Sequence, residues 1–306
     1  MARVGLKNKR KQDLIFYIVM LAYPVVQFLV FYIGVNVNSF LMAFQRYDVT
    51  VNEFVFLPIR DFFKNFVDVF DALTTETVFP YAFKNALIAY AAGFITTAFS
   101  LIFSYYIYKK YPLHGTIKVI LFTPSIISGI VLVSIFIEFM EVVVPSIYTG
   151  VTGKELLGML SNPDTRFGTV LFYCVWMGFG GSILLYVGAM NNISDSVIEA
   201  CKLDGANTLE EIVYIVLPLI YPTFVTFIVV GVGGILTNQM GLYSFFGPNA
   251  KENIQTFGYY FFRETKYATE TRYPFLATMG IMMTFVVAPL TLFVKWAMEK
   301  IGPKAD

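Results

Sequence analysis

Apolar residues fill this chain in six long blocks, and most polar residues gather in the gaps between them. The blocks cover roughly 14–35, 82–108, 117–138, 167–189, 218–238 and 273–297. Each approaches or exceeds the ~20 residues that an α-helix needs to cross the hydrocarbon core of a bilayer. Leu14 to Gln45 holds no charged residue at all, and a water-exposed fold has no place to hide such a run. The pattern predicts an all-α integral membrane protein with six transmembrane helices. Residues 1–13 form a basic segment before the first span, 14–297 the transmembrane domain, 190–217 its longest polar inner loop, and 298–306 a short tail.

Composition agrees with the pattern. The 306 residues are 57% hydrophobic, 18% aromatic and 14% charged, where soluble domains run near 45–50% apolar and about 25% charged. A net charge of +1 gives no field for a polyanion, so nucleic acid is not an expected partner; the lipid bilayer is. The first span follows Lys7, Lys9, Arg10 and Lys11, but it is too long for the apolar core of a signal peptide and no small-x-small cleavage site closes it. It is expected to stay as an anchor. The two cysteines, Cys174 in an apolar run and Cys201 in the inner loop, suggest no disulfide. With the single His114 they are too few for a four-ligand metal site. His114, beside Lys109 and Lys110, reads as a loop residue at the membrane face.

Basic residues set the orientation, because cytoplasmic loops carry the excess of Lys and Arg. They cluster at the N-terminus, at Lys109, Lys110 and Lys118, and at Lys295, Lys300 and Lys304, which six crossings put on one side. Both termini are thus expected in the cytoplasm, with the acid-rich 45–81 loop outside. The loop between the fourth and fifth spans falls inside by parity, yet its basic residue is Lys202 alone. Charge did not place it there. Within the spans, Glu138 is expected at the outer end of the third, and no other ionisable group at mid-depth. Ion-coupled transporters usually keep such a group, so a secondary transporter is the weaker reading. No inverted repeat supports it. The chain also lacks a phosphate-cradling loop, since "GVTGKE" has the wrong spacing, and no cluster of nucleophile, base and metal ligands suggests a membrane enzyme. Uphill transport would need its energy from another chain.

The inner loop reads "DSVIEACKLDGANTLEEIVYIVLP". Ser196 and Glu199 have the spacing of a capping box that starts a short helix. Gly205, after Asp204, suits the left-handed residue that ends one. Asn207 with Glu210, or Thr208 with Glu211, can cap a second helix that runs to Pro218, where the fifth span is expected to begin. The product is a helix–turn–helix on the cytoplasmic membrane face, with small residues, Ala200 and Cys201, beside the carboxylate of Glu199.

The spacing of these residues is specific. Glu199-Ala200-Cys201, three residues, Gly205, nine residues, then Ile215-x-Leu217-Pro218 resembles the EAA motif, E-A-A-x3-G-x9-I-x-L-P, of permease subunits of binding-protein-dependent ABC importers. Asp204-Gly205-Ala206 resembles the sugar-importer branch. The one departure is Cys201 in place of the second Ala. The resemblance implies the type I ABC importer permease fold, in which this loop is a cytoplasmic coupling helix. It further implies that Glu199 contacts an ATPase, that Ala200 and Cys201 pack into its groove, that Gly205 makes the bend, and that Leu217 and Pro218 set the angle of return. The implied partners are a second homologous permease, two ATPase subunits that bind ATP and Mg, and an extracytoplasmic solute-binding protein. No cofactor is implied for this chain itself.

A sugar path needs aromatic faces, amides and hydroxyls. Trp176 and Tyr186 in the fourth span, Asn238 and Gln239 ending the fifth, and Tyr243 beyond it are the candidates, although aromatics also gather at membrane interfaces. "GFGGS", Gly178 to Ser182, suggests close helix packing or an open cavity. The outer loops 45–81 and 239–272 hold many aromatics and are read as interfacial helices, facing either a binding protein or the membrane surface. A carbohydrate importer is the leading reading, and importers of other solutes keep the same machine with different cargo.

Overall fold

In the computed structural model the described residues are 2–303, without the side chains of residues 2–12 and of Phe179. The basic side chains Lys7, Lys9, Arg10 and Lys11, and Lys304 of the tail, therefore lie outside the described residues. The chain is helical because in lipid every backbone N–H and C=O must find a partner within the protein, which a helix achieves by itself. Helix α1 (Ala2–Gln27) continues through a π-helical turn, Phe28–Gly34, into α2 (Val35–Met42). A hairpin follows, β1 (Gln45–Asp48) and β2 (Glu53–Phe56), then α3 (Lys64–Thr75) and α4 (Val78–Tyr108). Next come α5 (His114–Ile126), α6 (Gly129–Glu138), α7 (Val144–Thr152), α8 (Pro163–Met190) and α9 (Asp195–Leu203). The rest is α10 (Thr208–Glu210), a π-helical turn (Glu211–Val216), α11 (Leu217–Leu219), α12 (Tyr221–Gly234), α13 (Leu242–Phe246), α14 (Phe257–Tyr267) and α15 (Tyr273–Ile301).

Five of the described helical segments are long and apolar enough to cross a membrane, and six when the bent pair Thr208–Leu219 and Tyr221–Gly234 counts as one. The six-span architecture thus appears, with two shifts of boundary. The expected third span, 117–138, is broken: Ile127 is extended, and Ser128 (ψ 127°) starts a new helix at Gly129. Pro124 just before the break lacks the N–H a helix would use. The uninterrupted apolar segment is Gly129–Thr152, carried past Glu138 by a π-helical turn at Phe139–Val143. Glu138 therefore sits inside this segment and not at its outer end. The fifth span does not begin at Pro218. The chain turns by 72° at Ile220 (φ −95°, ψ 6°), and Pro222 opens α12, where its missing N–H leaves no helical bond unmade.

The chain forms two compact units. The first, Met1–Leu73 with Tyr267–Met282, holds the anchor helix and the hairpin, whose register pairs Gln45 with Phe56 and Asp48 with Glu53. Asn65 on α3 donates to the carbonyls of Ala43 and Gln45, both at 2.8 Å, and ties the hairpin down. From Leu14 to Leu41 the large apolar side chains are exposed, a surface that only lipid or a partner helix can cover.

The second unit, Thr74–Lys266 with Met283–Asp306, is built on α4 and α8. Small residues let these helices approach: Ser104 Oγ donates to the Ile183 carbonyl at 3.2 Å. A side chain on Gly180 would meet the backbone oxygen of Leu121 on α5 at 2.5 Å, so the "GFGGS" segment is a site of close packing. Two clusters close the unit at opposite ends of α4 and α8, the first named inner and the second outer after the orientation expected from the basic residues. One gathers Tyr105, Tyr186, Met190, Ile193, Ile198, Val216 and Ile220. The other gathers Leu160, Val170, Met240, Leu242, Ala250, Ile254 and Tyr259.

Candidate functional site

The loop 190–217 folds as its caps dictate, with one change of register. Ser194, not Ser196, is the N-cap residue of α9, and its hydroxyl lies 3.1 Å from that of Ser196. The expected Ser196–Glu199 capping box does not form, and Glu199 is exposed. At the other end Asp204 is the C-cap and Gly205 adopts φ +80°. The Gly205 N–H then reaches the Lys202 carbonyl at 3.1 Å, and the Ala206 N–H reaches that of Cys201 at 3.2 Å. This pair of bonds is a Schellman stop, which satisfies carbonyls that the helix end leaves open. A Cβ on Gly205 would touch nothing within 4 Å, so the requirement for glycine is conformational and not steric. The second cap forms as expected, with Asn207 Oδ1 accepting from the Leu209 and Glu210 N–H groups and Glu210 Oε2 accepting from the Asn207 N–H at 2.8 Å.

The short helix α9 has two faces. Ile198 and Cys201 are buried in this chain. Glu199, Ala200 and Leu203 lie on the other side at i, i+1 and i+4, all exposed, Leu203 by 89%. Ala206 is half-buried and Asp204 exposed. Ile215 packs at the edge of the inner cluster, and Leu217 is half-buried. Pro218, with Tyr221 and Pro222, lines a groove of about 520 Å³ that reaches Lys295 and Glu299. Glu211 is buried, and its two carboxylate oxygens accept from Lys109 Nζ at 2.8 and 3.0 Å. Leu203 was not among the residues expected to matter, and Lys109 and Glu211 were read only as a basic residue at the membrane face and as an alternative cap. Leu203 was legible as an apolar residue one turn after Glu199; the partnership of Lys109 with Glu211, 102 residues away, was not.

The five candidates for a substrate path do not converge. Asn238 lines a cavity of about 320 Å³ between α4 and α12, with Tyr90, Phe94, Thr97, Phe227 and Thr237 among its walls. Its own carboxamide oxygen accepts from the Met240 N–H at 2.8 Å, and its carbonyl accepts from Thr256 Oγ1 at 2.7 Å. Gln239 follows in the same turn, half-buried. Tyr243 belongs to the outer cluster, its hydroxyl accepting from Lys266 Nζ at 2.7 Å and its ring against Phe262. Trp176 stands in an aromatic group with Phe136 and Tyr173. Tyr186 is fully buried in the inner cluster, 4.9 Å from the Phe227 ring. Its hydroxyl has no hydrogen-bond partner among the described residues. Tyr90, Thr97 and Thr237 were missed because hydroxyls on apolar helices carry no local signal. Among the described residues no group of three His, Cys, Asp or Glu stands close enough to hold a metal ion.

Comparison with known proteins shows the family and the fold. The family model for the binding-protein-dependent transport system inner membrane component matches residues 108–306, about two-thirds of the chain. The arabinooligosaccharides transport system permease protein AraP of Bacillus subtilis (strain 168) is 23% identical over 274 residues, covering 88% of this chain and 83% of the relative. In structure the chain is similar to a bacterial ABC transporter involved in the import of the acidic polysaccharide alginate. That match has a TM-score of 0.77, 21% identity, and covers 97% of this chain and 99% of the other. A second structure, a bacterial alginate ABC transporter in complex with an alginate pentasaccharide-bound periplasmic protein, matches with a TM-score of 0.74 and 22% identity over 94% of each chain.

Proposed function

Because the chain belongs to the inner membrane components of binding-protein-dependent transport systems, we propose that it is a permease subunit of an ATP-driven importer of oligosaccharides, with the loop around Gly205 as the joint to the ATPase. The observation that carries this reading is α9: a helix stopped by a left-handed Gly205 that leaves Glu199, Ala200 and Leu203 exposed while Ile198 and Cys201 are buried. An exposed Leu beside small and acidic residues on a short helix with a defined C-terminal stop is a surface for a protein groove. Asp204 and Ala206 serve that helix by flanking the turn. Ile215, Leu217 and Pro218 lead to the 72° bend that turns the arm into α12. Cys201 takes part from within, as packing under α9.

The machine has a second homologous permease, two ATPase subunits that bind ATP and Mg, and an extracytoplasmic solute-binding protein. Both termini face the cytoplasm, in keeping with the basic residues near them, and the count of crossings puts the loop on the same side. This subunit carries out no chemistry. It contributes half of the path and converts movement of α9 into movement of α4 and α12.

For the cargo, the cavity between α4 and α12 supports an uncharged sugar. Its walls offer the Tyr90, Thr97 and Thr237 hydroxyls, the Asn238 amide and the rings of Phe94 and Phe227, with no charged residue among those described. Rings stack on sugar faces, and neutral donors and acceptors match hydroxyl groups without burying a charge. The test is uptake of labelled neutral and uronate-containing oligosaccharides by the native host with and without this gene. Loss of neutral oligosaccharide uptake, restored by the wild-type gene and much less by Asn238→Ala, supports the reading. Unchanged uptake of neutral oligosaccharides in the deletion strain overturns the cargo assignment.

A further inference from the structure

Two charged side chains are buried together where the loop meets the membrane helices. Lys109 is the C-cap of α4, and Glu211 opens the π-helical turn Glu211–Val216. Their side chains are 13% and 6% exposed, and Lys109 Nζ donates to both oxygens of Glu211, at 2.8 and 3.0 Å. The Tyr105 ring lies 5.8 Å from the ammonium group. The ammonium stands at the end of α4, where the helix dipole is negative.

Packing alone does not call for this pair. Apolar residues of the right shape at both positions are often as stable as a buried ion pair, or more so. Tyr105, Val216 and Ile220 already form an apolar cluster at the same junction. Apolar attraction is non-directional and specifies the register of a contact less sharply than a hydrogen-bonded ion pair does. An ammonium and a carboxylate shielded from water hold one mutual position, because any slip leaves two charges buried without a partner.

We propose that Lys109 and Glu211 are positioning residues that lock the coupling loop to the end of α4. A displacement of α9 is then passed to the helix whose residues Ala86 to Thr97 wall the cavity, and is not lost in sliding of the loop. The inference rests on the reading that α9 docks on an ATPase. The pair couples that docking to the path.

The test uses the whole importer in proteoliposomes, reading sugar moved per ATP hydrolysed together with the melting temperature. Glu211→Gln keeps the shape and removes the charge; it lowers sugar moved per ATP by about tenfold, while the complex still assembles. Exchange of the charges, Lys109→Glu with Glu211→Lys, recovers part of the coupling, since the carboxylate then stands at the negative end of α4. The apolar pair Lys109→Met with Glu211→Leu restores the melting temperature but not the coupling, which a merely structural pair would not do. Full coupling in Glu211→Gln, or in the apolar pair, overturns the proposal. Cross-linking from Leu203→Cys to the ATPase separates the two levels. If it succeeds in the wild-type background and Glu211→Gln stays fully coupled, the ion-pair proposal alone fails. If no cross-link forms, the docking reading fails and takes this proposal with it.

Discussion

The two ends of the α4–α8 unit are built on opposite plans. At the inner end, α9 and its arm are fixed by local caps, one buried ion pair and an apolar cluster, and half of α9 is left open. At the outer end, residues 238–260 close on themselves. Asn85 of α4 donates to the carbonyls of Asn253 and Gln255 at 3.0 and 2.9 Å, and Gln255 Nε2 donates to the Ala250 carbonyl at 2.7 Å. Tyr259 Oη donates to the Gly247 carbonyl and accepts from the Ala250 N–H. Buried polar side chains that satisfy loop carbonyls make a loop rigid, since each bond lost leaves a desolvated group behind. The outer end is therefore a frame that holds Thr237 and Asn238 at the cavity, and the inner end is, on the proposed reading, a joint. Changes at the frame should cost folding, whereas changes at the joint should cost transport with folding intact.

The largest effect is expected at Gly258. A Cβ there would sit 2.6 Å from the carbonyl carbon of Asn238 and closer still to the Thr237 carbonyl, and backbone cannot move aside as a side chain tip can. Gly258→Ala should destabilise by about 3 kcal/mol or more, seen as loss of folded protein in detergent. Asn85→Ala follows, because it strips the buried Gln255 carbonyl and the part-buried Asn253 carbonyl of their donor; a loss of about 2 kcal/mol is expected, read as a lower melting temperature with α9 unaffected. If either variant melts like the wild type, the outer end is not a frame.

At the joint the balance reverses. Gly205→Ala and Gly205→Val place a side chain at φ +80°, which costs roughly 1–2 kcal/mol for an L-residue and is confined to an exposed turn. The melting temperature should change little, while Gly205→Val abolishes ATP-driven uptake with the protein still in the membrane. Cys201→Ala should be the mildest change. It removes one buried sulfur, within about 1 kcal/mol, and transport should stay near the wild-type level. A strong transport defect in Cys201→Ala would mean that the inward face of α9 does more than pack.

The contrast also explains what could be read from the chain alone. The joint was legible because its signals are local: Asn207 and Glu210 are three residues apart, Gly205 ends a helix, and prolines flank the bend. Even there the helix starts after Ser194 and not at Ser196, and neither serine caps it with its side chain; their hydroxyls face each other instead. The frame was illegible because its decisive bonds are long-range, Asn85 to Gln255 spanning 170 residues, and an Asn in an apolar helix looks the same whether it faces a loop or a path. The break at Ile127–Ser128 was hidden for a different reason. Thr123, Pro124, Ser125, Ser128 and Gly129 dilute the apolar run there, but the third span was bounded only by the overall length of that run. Tyr186 shows the limit for aromatics: its apolar surroundings are evident in sequence, but its burial under Phe227 is not.

The central claim is that the face of α9 carrying Glu199, Ala200 and Leu203 is where an ATPase attaches. The most direct measurement is to purify the tagged chain from native membranes, as wild type and as Leu203→Asp, and to identify what accompanies each. The account predicts an ATPase and a second permease with the wild type. With Leu203→Asp the second permease should remain, while the recovered ATPase falls by about tenfold or more, about 1.4 kcal/mol of lost association. Equal recovery of the ATPase with both, or its absence from both, would contradict it.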